Sequence, residues 1–357
     1  MSKLLPIIRE LIAANGPMTI ASYMELALQH PEFGYYRHHD PLGQEGDFIT
    51  APEISQMFGE MIGLWCADVW KKLGSPEKFT LLELGPGRGT LMQDVLRATA
   101  KIHGFHQAVQ LHLLESNQTL RKMQQEKLVE HLPIHLDDLS QLPELPTIII
   151  ANEFFDALPI RQFEKTFQGW AERLVMVVGD QLAFTTSPLD AMLLQLIPEN
   201  LREANPGAFF EVSLPTTAIM RNLTKHIMRN KGAALIIDYG FAEASGQPTL
   251  QAVANHQFVD VLSRPGDVDL TAHVDFGMLR TVVSGQGVHI LGPVGQGEFL
   301  QDLGIDIRAV QLKQHATPQQ AADIEAALKR LTDSADMGTL FKVLAVTSSP
   351  LPSLAGF

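Results

Sequence analysis

The chain holds one cysteine, Cys66, among 357 residues, so neither an internal disulfide nor a multi-cysteine zinc site is possible, which fits a reducing compartment. Positive charge is scarce: 27 Lys and Arg stand against 40 Asp and Glu, for a formal charge of -13. With no basic run or stripe to offset that field, a phosphate backbone is repelled on average, and nucleic acid is not expected as a partner. No window approaches the ~18 uninterrupted apolar residues of a membrane span, so direct membrane insertion is not expected. The opening MSKLLPIIRELIAANGP lacks the apolar core of a signal peptide, and its acid and early proline suit a mitochondrial presequence poorly. A cytoplasmic location is the expectation. Histidines number thirteen, but His103 and His106, at helical ligand-like spacing, have no HExxH around them, and His256 and His273 stand alone, so no metal is expected.

What is present is an α/β pattern. Residues 1–74 read as a helical and loop segment: IIRELIAANG, TIASYMELALQHPEFGYY and ISQMFGEMIGLWCADVWKKLG have helical spacing, and RHHDPLGQEGDFITAPE separates the last two. That loop is long for a connection and is expected to cover the site. Residues 75–357 alternate short apolar strands with helices: FTLLEL, VQLHLLE, LPIHL, PTIIIANE and GAALIIDYG are candidate parallel strands. Such alternation implies a doubly wound, mostly parallel sheet. Insertions are expected at about 160–213, which contains strand-like runs, and at about 241–285, which reads as loop with some helix. GVHILG and GTLFKVLAVTSS supply two last strands, separated by a helix whose Thr317-Pro318 opening is an N-cap followed by N1 proline.

The turn after FTLLEL is the candidate ligand cradle, because open parallel sheets bind at the carboxyl ends of their strands. Gly85, Gly87 and Gly89 give the spacing G-x-G-x-G. A dinucleotide fingerprint would need glycine or alanine at position 90, where Thr stands, and Pro86 has no N–H for a pyrophosphate. The G-K-[ST] ending of a Walker loop is missing. Glu83 sits at the strand end, where a carboxylate repels a diphosphate and attracts a ligand carrying an ammonium and a sulfonium. S-adenosyl-L-methionine is such a ligand. Glu115, ending the second strand, suits a ribose diol, and Asp137 and Asp138 after the third strand are read either as acceptors for an adenine amino group or as a solvated turn or helix cap.

ANEFFDALPIRQF follows the fourth strand and adjoins the cradle across the switch point. Methyl transfer from a sulfonium requires a nucleophile held in line more than it requires acid-base power. Carboxylates suit a guanidinium nucleophile, whose planar donors they orient. Glu153, Asp156 and Asn152 are therefore the candidate catalytic residues, with helix capping an equal reading of Asp156. Asp238 in IDYG either lines the same pocket or is a satisfied strand-end acid. Gly46, Asp47, Thr50 and Glu53 in GDFITAPE are placed to close over the donor, while Tyr35 and Tyr36 are read as packing in preference to walls of a side-chain pocket.

Seven stretches in order, YMELALQHPEFGYY, GDFITAPEISQMFGEMIGLW, LLELGPGRGTLMQDVLR, ANEFFDALPIRQF, LIIDYG, DLTAHVDF and MGTLFKVLAV, resemble the MidA-like S-adenosyl-L-methionine-dependent methyltransferases. The resemblance runs from about residue 18 to 347. It implies a class I, Rossmann-like methyltransferase fold, S-adenosyl-L-methionine as donor at Glu83, Gly85, Gly87, Gly89 and Glu115, and a protein arginine as acceptor. The family includes the mitochondrial arginine methyltransferase that assists complex I assembly, which implies a subunit of the 49-kDa type as substrate. Without a transit peptide the chain reads as a bacterial relative. Methylation of another protein side chain or a small amine, a noncatalytic assembly chaperone that binds the donor, and a NAD-linked oxidoreductase are the competing readings.

Overall fold

FTLLEL forms strand β1 (Phe79–Leu84), and all six of its residues are buried, as a parallel strand covered on both faces must be. The computed structural model describes residues 2–38, 50–244, 246–254 and 257–357. Two compact units divide them: one takes the described parts of residues 2–38, 156–218 and 243–277, and the other takes 50–155, 219–242 and 278–357. The helices within residues 51–72 therefore belong with the second unit, and residues 2–38 belong with the inserted segments.

The second unit is built on one sheet. To β1 are added β2 (Val109–Leu114), β3 (Ile134–Leu136), β4 (Thr147–Asn152), β5 (Gly232–Phe241), β6 (His289–Gly295) and β7 (Phe341–Thr347). Their order is β6-β7-β5-β4-β1-β2-β3. From β3 to β5 every pairing is parallel, while β7 runs antiparallel to both β5 and β6. Chain order reverses between β1 and β4, so this is the switch point at which such sheets hold ligands. The third strand starts at Ile134 and not at Leu132, because Leu132 takes a left-handed φ of 47° and Pro133 offers no N–H to the ladder.

Three helices position the site. Helix α1 (Gln56–Lys72) starts where the Ser55 hydroxyl accepts the Met57 amide at 3.2 Å. It packs against α2 (Thr90–Thr99) so closely that a Cβ on Gly59 would lie 2.5 Å from the Cβ of Asp94. Helix α3 (Gln118–Lys127) starts at Asn117, whose Oδ1 accepts the amides of Thr119 and Leu120 at 2.8 and 3.2 Å. Trp65, Phe58, Phe79, Phe105 and Phe299 are among the large side chains of this core.

The first unit has its own core, with Leu4, Ile8, Tyr23, Val175 and Leu270 among its buried residues. Strands Gly169–Val178 and Gln181–Pro188 form a hairpin. The segment read as loop at 241–285 contains a small sheet, with Gln251–Ala254 between Gln257–Val259 and Asp269–Thr271. Strands of three or four residues are too short for their alternation to register in the sequence. Helix Pro318–Thr332 of the second unit starts on Thr317 with a full capping box closed by Gln320.

Candidate methyl-donor site

The turn between β1 and α2 takes positive φ at each glycine: 61° at Gly85, 52° at Gly87 and 75° at Gly89. Only glycine adopts such a run without strain. Space adds a second constraint at Gly85, where a Cβ would sit 2.9 Å from Cδ2 of Phe154. The Gly85 amide donates to the Leu114 carbonyl at 3.0 Å, which ties the turn to the end of β2.

Two carboxylates stand at this rim. Glu83 is 3% exposed, and among the described residues its Oε2 has no hydrogen-bond partner. Burial, and secondarily the charge of Glu115, push its carboxyl up to about 8. Glu115 follows β2; its Oε1 accepts the Asn117 amide at 2.8 Å and its Oε2 accepts Gln124 Nε2 at 3.4 Å. Burial raises its pKa as well. A buried acid with an unused oxygen beside an open glycine turn fits a cationic nucleoside, whose charge favours the ionised carboxylate.

The last residue of β4 and those that follow it form a second group. Glu153 takes φ 49°, a conformation that costs a non-glycine residue on the order of 1–3 kcal/mol. Its amide donates to the Ile237 carbonyl at 2.9 Å, and its Oε1 accepts both the Ala51 amide and Asn152 Nδ2 at 3.2 Å. Asn152 is buried, and its Oδ1 has no partner among the described residues. Asp238, fully buried at the end of β5, accepts the Phe155 and Tyr239 amides, each at 3.0 Å. These bonds make it a support of the turn after β4.

The helical turn Ala51–Ile54 follows Thr50. Thr50 supplies its carbonyl to the Glu53 amide at 2.9 Å, and Glu53 Oε1 accepts the Thr90 hydroxyl at 2.7 Å. Lys127 Nζ donates to the same hydroxyl at 2.8 Å. Gly46 and Asp47, expected beside them, lie outside the described residues, as does His256.

Other candidates have local partners. Asp138 caps a 3₁₀ turn, its Oδ1 accepting the Ser140 amide at 2.7 Å, and Asp137 pairs with Arg121 at 2.6 Å. Both satisfy the capping and solvated-turn reading of that pair. Asp156 belongs to the first unit, where its carbonyl accepts the Ala272 amide at 3.0 Å and its charge acts on Tyr36. The Tyr36 hydroxyl donates to Asp269 Oδ1 at 2.9 Å. The expected acceptor pair of Glu153 and Asp156 is thus divided between units.

Sequence reading passed over Gln124, which is fully buried. Its signal was available: it lies four residues from each of Leu120 and Leu128, both buried, so a polar side chain interrupts an apolar helical stripe.

The strand order, the glycine turn at its switch point and the paired strand-end acids define a class I methyltransferase. The model of the family described as S-adenosyl-L-methionine-dependent methyltransferase matches residues 61–294, and the chain belongs to that family. The chain is an S-adenosyl-L-methionine-dependent methyltransferase. Among its relatives, the Drosophila melanogaster homolog of protein arginine methyltransferase NDUFAF7, mitochondrial, is 38% identical, covering 95% of this chain and 83% of its own length. The human protein of that name is 35% identical, with 96% of this chain and 83% of its own covered. A protein from Burkholderia thailandensis crystallised with S-adenosyl-homocysteine superposes with a TM-score of 0.82 at 28% identity, covering 96% of this chain and 91% of its own. The cytoplasmic, bacterial location expected from the opening residues is overturned, because these curated relatives bear mitochondrial names; where a chain begins is a poor guide to its compartment. Among the described residues no helix is long and apolar enough to cross a membrane.

Proposed function

We propose that the chain is a protein arginine N-methyltransferase acting on a respiratory complex I subunit of the 49-kDa type. The donor half of this reading is carried by Glu83, whose buried, unused oxygen stands beside a turn of three positive-φ glycines. The acceptor half is supported by relatives at 35–38% identity named as protein arginine methyltransferases, together with the adjacent amide and carboxylate of Asn152 and Glu153 at the end of β4.

When bound, S-adenosyl-L-methionine supplies an electrophilic methyl group on a sulfonium. Gly85, Gly87 and Gly89 keep the turn free of side chains so that the nucleoside approaches the backbone. Glu115 accepts from the ribose hydroxyls, and Glu83, whose ionised form a neighbouring cation favours, supplies negative charge towards the ligand's cationic end. Glu153 and Asn152 orient the guanidinium: a carboxylate hydrogen-bonded to two of its N–H groups draws positive charge away from the attacking nitrogen. Holding that nitrogen at near-attack distance supplies most of the acceleration, and no strong base is needed once the methyl is attached. Asp137, Asp138 and Asp156 have no place in this assignment.

Mass spectrometry of complex I subunits from cells with and without the gene tests the reading. A methylarginine present only with the gene is the expected result. An unmodified subunit that still requires the protein for assembly points instead to a chaperone, and a methyl mark on another side chain or a small amine removes the arginine assignment.

A further inference from the structure

We infer that Gln124 is a positioning residue for the donor site, holding the Gly87 carbonyl and the Glu115 carboxylate in the arrangement that receives the ribose. The inference rests on the donor site proposed above. Gln124 is fully buried, and both ends of its amide are engaged. Nε2 donates to the Gly87 carbonyl at 2.6 Å and faces Glu115 Oε2 at 3.4 Å. Oε1 meets His135 Nε2 at 2.7 Å.

The chemistry of the partners fixes the orientation of that amide. A carbonyl and a carboxylate only accept, so the NH₂ group faces them; Oε1 then faces His135, whose Nε2 must carry the proton. Rotating the amide would set oxygen against two acceptors. One side chain on α3 therefore reads three places at once: the middle of the glycine turn, the acid after β2, and strand β3. The helix also packs closely against the turn, since a Cβ on Gly89 would lie 3.5 Å from Gln124 Cγ. Glu115 has one oxygen on the Asn117 amide and the other steered by Gln124, so its plane is set before any ligand arrives. Ordering that carboxylate beforehand removes a cost that binding would otherwise carry.

Isothermal titration of the full chain with S-adenosyl-homocysteine tests this, using wild type, Gln124→Met, Glu115→Ala and the double variant, with thermal unfolding as a check of folding. Methionine keeps the length and removes both hydrogen-bonding ends; Gln124→Leu, likewise uncharged and without a donor, takes the place of Gln124→Met if that variant does not fold. Wild type binds, Gln124→Met weakens binding about tenfold, and in the Glu115→Ala background the same change costs about threefold or less, because the two residues act through one contact. An equal loss in both backgrounds, or none in either, overturns the positioning role. Failure of the wild type to bind overturns the donor site itself and the inference with it.

Discussion

Asp238 Oδ2 accepts the Phe155 amide at 3.0 Å, so the end of β5 holds the turn that follows β4. The other oxygen holds the Tyr239 amide, and the residue has no exposure to water. Asp238→Ala removes a side-chain acceptor from two amides and is expected to cost ~1–3 kcal/mol for each amide that it leaves unsatisfied. Because the turn carries Glu153, turnover falls further than S-adenosyl-homocysteine affinity. Calorimetric unfolding and binding titrations check this, and equal losses in the two would remove Asp238 from the support of the acceptor side.

Gly85 is constrained twice, by a φ of 61° and by Phe154 at 2.9 Å from the position of a Cβ. Gly85→Ala is expected to destabilise by ~1–2 kcal/mol from the backbone alone and to weaken donor binding. The Gly85→Ala, Phe154→Ala pair recovers part of the loss, since it removes the steric half and leaves the backbone half. No recovery in thermal unfolding of the double variant contradicts the contact.

The Glu83 carboxyl, pushed up to about 8 from the usual 4.5, makes ligand-free stability depend on pH. Between those values the native state binds more protons than the unfolded chain, so the contribution is present in full below about 4.5 and is lost as pH rises through about 8. The change amounts to a few kcal/mol at most, at ~1.4 kcal/mol per unit. Urea unfolding from pH 5 to pH 8 should show wild type losing stability relative to Glu83→Gln. The ionised form is the one that attracts a cation, so S-adenosyl-L-methionine affinity rises over the same interval in wild type and stays flat in the variant. Parallel curves for the two proteins contradict the assignment.

Glu153→Gln keeps one carbonyl-type oxygen for the Ala51 amide, which Oε1 accepts at 3.2 Å, and removes the charge. Donor affinity is expected within about threefold of wild type, while methylation falls at least ~100-fold, the loss associated with a misoriented nucleophile. Single-turnover methylation of an arginine peptide beside product-binding titration separates the two effects. Undiminished turnover takes Glu153 out of the acceptor site.

Much of the sheet was legible from its apolar runs because parallel strands are buried on both faces: TIIIAN and FTLLEL became β4 and β1 with every residue buried. The glycine turn was legible because positive φ leaves few alternatives to glycine. Side-chain partnerships between elements were not. The cap at Asp138 was legible as one of two readings because it is local, but nothing in local sequence tells that Asp156 falls in a unit with Tyr36 or that Gln124 reaches Gly87, since these depend on which elements the fold brings together. The small sheet around Gln251–Ala254 escaped because its strands are three or four residues long.

The central claim is that the rim beside Glu83 and Glu115 receives a sulfur nucleoside. Titration calorimetry of the purified chain with S-adenosyl-homocysteine and, separately, with NADH tests it most directly. The account predicts saturable heat with the first, at weaker affinity in Glu115→Ala, and none with the second. Heat with NADH alone contradicts it.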